Sequence, residues 1–217
     1  MSNLDLINKT ILFVREKLTN AEGGHDWFHI QRVYKNALLI ATGESCDETV
    51  VKLGALLHDI ADSKFHAGDE TVGPKVAREF LENEGVSEAI ISHVIQIIDN
   101  ISFKGGKTEK VFSSIELDIV QDADRLDAIG AIGIARAFNY GGFKNRSMYD
   151  PNIAPNLQMS KEEYKNSQAP TINHFYEKLL LLKDKMNTET GKQIAEQRHH
   201  YMQEFLAQFY AEWDGEM

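Results

Sequence analysis

Five residues of this chain have types and spacings that could do chemistry: His29, the adjacent pair His58-Asp59, Asp62 and Asp124. His58 and Asp59 follow the apolar run Ala55-Leu56-Leu57, where an unpaired charge would be costly to bury. Adjacent residues on a straight helix point about 100° apart, so these two can still converge on one atom lying off the helix between them. A divalent metal ion is such an atom, because imidazole and carboxylate both bind first-row divalent metals. Asp62 lies four residues after His58 and three after Asp59, which places it on the same side. Asp124 sits in Val120-Gln121-Asp122-Ala123-Asp124-Arg125-Leu126-Asp127, an apolar stretch interrupted by three acids. Asp124 and Asp127 share a face there and Asp122 points elsewhere. Two imidazoles and two carboxylates form a mixed nitrogen and oxygen donor set, suited to Mn, Fe, Co, Ni, Mg or Zn, with water completing an octahedron. A water of lowered pKa beside one further carboxylate is the apparatus of hydrolysis. The bland alternatives are a polar helix end for His58 to Asp62 and a core-edge histidine bonded to a carbonyl for His29.

The elements that must position these residues read as helices. Leu4, Ile7, Ile11, Val14 and Leu18 recur at three- and four-residue spacing, predicting a helix from Leu4 to Leu18. Asp26 caps a helix from about Trp27 to Thr42 that carries His29 beside its apolar face. Asp47 is the N-cap of a helix from Glu48 to Ala61 that delivers His58 and Asp59 at its far end. Pro74 suits the first turn of the next, which Gly85 ends, and Ser87 caps a helix with His93 next to its core residues. From Val120 to Phe138 one helix is expected, Gly130 and Gly133 allowing close packing. Asn139 to Pro170 holds three of the four prolines and reads as a long loop with one short helix near Lys161 to Asn166. Its Tyr140, Phe143, Lys144, Arg146 and Tyr149 could stack on a base and contact phosphates at a pocket mouth. Helices from Thr171 to Met186 and from Glu189 to about Trp213 end the chain. With no strand alternation, internal repeat or linker, the expectation is an all-α helical bundle forming a single domain over 1–217, its core at about 20–138.

Composition narrows the function classes. The chain has 217 residues, 42% hydrophobic and 26% charged, ordinary for a globular protein. No apolar run approaches the roughly 20 residues that span a bilayer, and Met1 to Asp5 lacks the features of a signal peptide. The single Cys46 excludes an intrachain disulfide framework and a cysteine zinc site. These features predict a cytoplasmic protein. A formal net charge of −10 argues against nucleic-acid or membrane partners but leaves room for a small phosphorylated ligand.

The order His29, His58-Asp59, Asp124 resembles the H…HD…D motif of the HD-domain metal-dependent phosphohydrolases. The flanks extend the likeness: Gly24-His25-Asp26-Trp27-Phe28-His29-Ile30-Gln31-Arg32-Val33, Leu57-His58-Asp59-Ile60-Ala61-Asp62-Ser63-Lys64-Phe65 and Gln121-Asp122-Ala123-Asp124-Arg125-Leu126-Asp127-Ala128-Ile129-Gly130 are similar to a bacterial YpgQ- and YedJ-like branch. The resemblance covers most of the chain, including Arg198-His199. It implies that His29, His58, Asp59 and Asp124 are metal ligands and that Asp62 is the acid or base at the reacting phosphate. Binuclear relatives add further histidines. His66 and His93 are the candidates here, and neither matches well, so one divalent ion (Mn, Mg, Co, Ni or Fe) is expected.

Phosphate-binding cations are Arg32, one turn from His29, and Lys64, just after Asp62, with His93 as a third substrate-binding candidate. Asp122 and Asp127 are expected to be structural or to orient a ligand histidine, and His199 and His200 to lie on the surface or in packing. The function expected is a nucleotide phosphohydrolase that cleaves a (deoxy)nucleoside triphosphate to monophosphate and pyrophosphate, acting as a monomer or homodimer. The alternatives are a nucleoside 5'-monophosphatase or a nucleotide-sensing module with little turnover. A di-iron oxygenase would need more ligands than the sequence offers.

Overall fold

Side-chain oxygens at four helix starts set the frame. Ser2, Asp26, Asp47 and Thr188 each accept a backbone N–H from the first turn of the helix they precede. The computed structural model describes residues 2–19, 26–60, 69, 71–101, 112–160, 163 and 166–216. Among these residues are nine α-helices and no strand: α1 Asn3–Lys17, α2 Trp27–Ala41, α3 Glu48–Leu57, α4 Val72–Asn83, α5 Glu88–Asn100, α6 Ile115–Asp127, α7 Gly130–Phe143, α8 Thr171–Glu177 and α9 Glu189–Trp213. The all-α expectation holds for them. None of these helices is long and apolar enough to cross a membrane.

The chain forms two compact units, 1–124 and 125–217. Their boundary falls inside α6 rather than in a linker. In the first unit α3 is central. Val50, Val51, Leu53, Gly54, Ala55, Leu56 and Leu57 are all buried, and α1, α2 and α5 pack around the helix. A side chain at residue 54 would meet Ile97 Cδ1 at 3.2 Å, so glycine there lets α5 approach. The Asp47 N–H donates to Glu116 Oε1 at 2.9 Å, and Val120 lies beside Gly54 next to Ile97. The starts of α3 and α6 therefore adjoin, and the two helices run the same way toward His58 and Asp124.

Several expected boundaries differ. α3 stops at Leu57, and His58 to Ile60 form a turn closed by Ile60 N–H to Leu57 O at 3.3 Å. The expected helix from Val120 to Phe138 is two helices. Ile129 is extended (φ −126°, ψ 169°) and Gly130 has φ +73°, a left-handed conformation that glycine adopts without strain. α7 then runs on to Phe143, so the irregular segment begins at Lys144 rather than Asn139. Its short helix near 161–166 falls largely outside the described residues. Tyr149 packs edge-on against Phe209, Tyr210 and Trp213 of α9, so its ring is already engaged by protein.

In the second unit α8 ends at Glu177, where Lys178 leaves helical geometry (φ −144°, ψ −56°), and two 3₁₀ turns follow, Leu179–Leu181 and Lys183–Lys185. Leu179 and Leu182 are buried while Leu181 is 44% exposed. Residues three apart eclipse in 3₁₀ geometry, which keeps Leu179 and Leu182 on one side.

Candidate metal centre

Three segments of the first unit bring the candidate ligands together. Asp26 caps α2 by accepting the His29 N–H at 2.9 Å, which fixes the first turn of that helix. His29 is 2% exposed. His58 is the C-cap of α3 and is also buried. Its Nδ1 lies 2.9 Å from Ala55 O. A carbonyl only accepts, so Nδ1 carries the proton and Nε2 keeps its lone pair. Burial holds the His58 imidazole below its ordinary pKa, and the nearby Asp124 and Asp59 only partly oppose this. The neutral ring is the metal-binding form.

Nε2 of His29 lies 3.6 Å from Asp124 Oδ1, and Nε2 of His58 lies 4.0 Å from the same oxygen. The two rings meet edge to face, 5.4 Å between centroids. Ligand atoms of His29, His58 and Asp59 all lie within 4.8 Å of one another, the one such group among the described residues. Donors about 2.1 Å from a common ion stand roughly 3 Å apart at right angles and roughly 4.2 Å apart when opposed. The Asp124 separations of 3.6 and 4.0 Å fall in that interval. The donor chemistry agrees: imidazole nitrogen and carboxylate oxygen suit a first-row divalent ion or magnesium. Asp124 is 42% exposed, so the cluster is walled by buried imidazoles on one side and open on the other.

The remaining candidates are placed differently. Arg32 is half-buried on α2, one turn from His29. His93 sits elsewhere: its Nε2 is 2.9 Å from Ser114 Oγ and 3.4 Å from Glu116 Oε2, and its ring abuts Phe112 edge-on. Glu116 precedes Asp124 by eight residues of α6, about 12 Å along the axis. Asp62, Lys64, His25 and His66 lie outside the described residues. Asp122 is buried. Asp127 is buried too and pairs with Arg136. His199 is buried and His200 is exposed beside Glu204 at 3.2 Å.

The sequence reading missed three side chains that hold the end of α6. Asn36 Nδ2 donates to Ala123 O at 3.3 Å, Arg198 Nη1 to Leu126 O at 2.5 Å and Arg136 Nη1 to Asp127 O at 3.1 Å. Asn36 had a usable signal, since seven residues, two helical turns, place it on the stripe of His29. Arg136 had a weaker one, as a lone charge within the apolar run Ile134-Ala135-Arg136-Ala137-Phe138.

Comparison with known proteins matches this arrangement to a family. The model of the HD domain matches residues 27–129, a span that contains all four clustered residues. Over 211 residues the chain is 38% identical to the uncharacterised protein YpgQ of Bacillus subtilis (strain 168), covering 96% of this chain and 94% of that protein. The crystal structure of an HD-superfamily hydrolase from Bacillus thuringiensis is similar with a TM-score of 0.80 and 45% identity, over 98% of this chain and 99% of that one. The crystal structure of Bacillus subtilis YpgQ in complex with ADP is similar with a TM-score of 0.78 and 34% identity in the structural alignment, over 98% and 97% of the two chains.

Proposed function

This chain belongs to the HD-domain superfamily of hydrolases, and from that premise we propose that it is a divalent-metal-dependent phosphohydrolase that cleaves a (deoxy)nucleoside triphosphate to the monophosphate and pyrophosphate. The observation that carries the reading is the convergence of His29, His58, Asp59 and Asp124. The ADP complex of YpgQ supports a nucleotide as the ligand.

His29, His58, Asp59 and Asp124 would hold one ion. When bound, it would supply Lewis acidity toward a phosphoryl oxygen and lower the pKa of water. The protein's own contribution is orientation and protonation state. The His58 Nδ1–H to Ala55 O bond fixes the tautomer and leaves Nε2 for the ion. The Asp26 cap fixes the turn that aims His29. In the balanced reaction water forms a new P–O bond at the α-phosphorus, the bond to the bridging oxygen breaks, and pyrophosphate leaves with the electron pair. Asp62 is the proposed group that takes the proton from water or gives one to the leaving oxygen. Arg32 and Lys64 are the proposed phosphate cations. His93 is proposed only as a contact for a distant part of the substrate, given its place at the other end of α6.

The test is turnover of a nucleotide panel with Mn, Mg, Co and Ni, reading pyrophosphate and orthophosphate separately. Pyrophosphate from triphosphates is the expected product. Orthophosphate from monophosphates would replace the proposal with a monophosphatase, and binding without turnover would replace it with a sensing module.

A further inference from the structure

A helix leaves its last four carbonyls without helical N–H partners, and α6 ends within one turn of Asp124. Arg198, reaching from α9, donates Nη1 to Leu126 O at 2.5 Å, and the Ile129 N–H shares that oxygen at 3.3 Å. Arg136 donates to Asp127 O and also binds the Asp127 carboxylate. Both guanidiniums therefore sit at the negative end of the helix dipole. The Arg198 stem is seated as well as its head: a side chain at residue 130 would meet its Cγ at 3.0 Å, and Gly130, at φ +73°, leaves that room. Partial burial lowers the pKa of the guanidinium, with Asp127 opposing. Unlike the buried His29 and His58 rings, the Asp124 side chain is 42% exposed. Packing does little to aim it, so its direction depends on the backbone of its own turn.

We infer that Arg198 is a positioning residue: by holding the Leu126 carbonyl, two residues beyond Asp124, it fixes the helical turn that aims the Asp124 carboxylate and thereby raises metal affinity. This rests on the metal-centre reading above. Arg198 touches neither ion nor substrate in this role and acts through Asp124.

The experiment is calorimetric titration of Mn²⁺ into the full-length protein as wild type, Arg198→Met, Asp124→Asn and the double variant. Methionine keeps an apolar stem against Gly130 and removes the donors, and far-UV circular dichroism reports whether the fold is retained. The expected result is an affinity at least about 10-fold weaker for Arg198→Met, the low end of what losing a ligand's supporting partner does. In the Asp124→Asn background the same substitution should produce little further loss, because the effect runs through Asp124. Wild-type affinity in Arg198→Met overturns the inference, as does an equal loss in both backgrounds, which would mark a general structural effect. If Arg198→Met does not fold, Arg198→Lys is read by the same two comparisons. A wild type that binds no Mn²⁺ sinks the metal-centre reading and this inference together. A wild type that binds, with Arg198→Met unchanged, sinks the inference alone.

Discussion

Replacing Asp124 with alanine separates metal binding from folding more cleanly than replacing either histidine. His29 and His58 are buried at 2% and 9% exposure, so truncating them opens space in the interior. Asp124 is 42% exposed, and its oxygen stands 3.6 and 4.0 Å from two imidazole nitrogens, too far for hydrogen bonds. It lies in the last turn of α6, where alanine is the better helix former by up to about 0.7 kcal/mol and a negative charge is disfavoured by the helix dipole. The metal-free protein should therefore keep its stability to within about 1 kcal/mol. Losing one of four protein ligands should weaken the ion by at least roughly 100-fold, since even supporting partners are worth 10- to 100-fold. With the ion in excess, a 100-fold weaker site removes about 2.7 kcal/mol of metal-linked stability. For a chain of this length each kcal/mol moves the melting temperature by about 2 to 4 °C. The rise in Tm on adding MnCl₂ should then be roughly 5 to 10 °C smaller in Asp124→Ala than in wild type, with melts in EDTA within about 4 °C of each other. An Mn²⁺-induced rise equal to that of wild type would refute the assignment of Asp124 as a ligand.

Asp62→Asn should keep metal content near wild type while turnover falls by about 10²-fold or more, the scale of lost general acid–base help. Metal lost in parallel with activity would reassign Asp62 as a ligand or its support. Glu116 is 7% exposed, accepts the Asp47 N–H and faces His93. Glu116→Ala leaves buried groups unpaired and should lower stability by about 1 to 3 kcal/mol, seen in thermal denaturation, with Mn²⁺ affinity unchanged. A parallel loss of Mn²⁺ affinity would show that this end of α6 does couple to the metal centre. His174 is held at a pKa of about 4, by burial first and then by Lys178 and Arg146. Its folded pKa is depressed, so its stabilising contribution is present above the ordinary histidine value of about 6.5 and is lost as pH falls from there toward 4, up to about 3 kcal/mol. Urea midpoints at pH 7 and pH 4.5 should converge in His174→Gln relative to wild type, and an unchanged difference between the two pH values would count against the burial argument.

What the sequence revealed and what it hid divide along a physical line. The clustered residues were readable because each is a polar side chain set against an apolar helix: His29 beside Ile30 and Val33, His58 after Leu56-Leu57, Asp124 between Ala123 and Leu126. Helix starts were readable for the same reason, since Asp26 and Asp47 show their acceptor in the residue name. The break at Ile129 and Gly130 was not, because a glycine in an apolar helix can mean close packing or a left-handed turn, and only the φ of +73° under the Arg198 stem decides it. The 3₁₀ turns were hidden likewise, because Leu179 to Leu182 is uniformly apolar and shows no period. His93 is readable as a polar residue beside the core face of its helix, and the length of α6 between Glu116 and Asp124 places it about 12 Å along the axis from the cluster. Arg198 had no counterpart to be matched with, because its acceptor is the backbone carbonyl of Leu126 and every residue carries such a carbonyl. Ligands chosen by side-chain chemistry leave a mark in the sequence. Groups that act through the backbone leave a fainter one, a helical stripe for Asn36 and a lone charge in an apolar run for Arg136, and Arg198 shows no such pattern, so its contact with Leu126 needs coordinates.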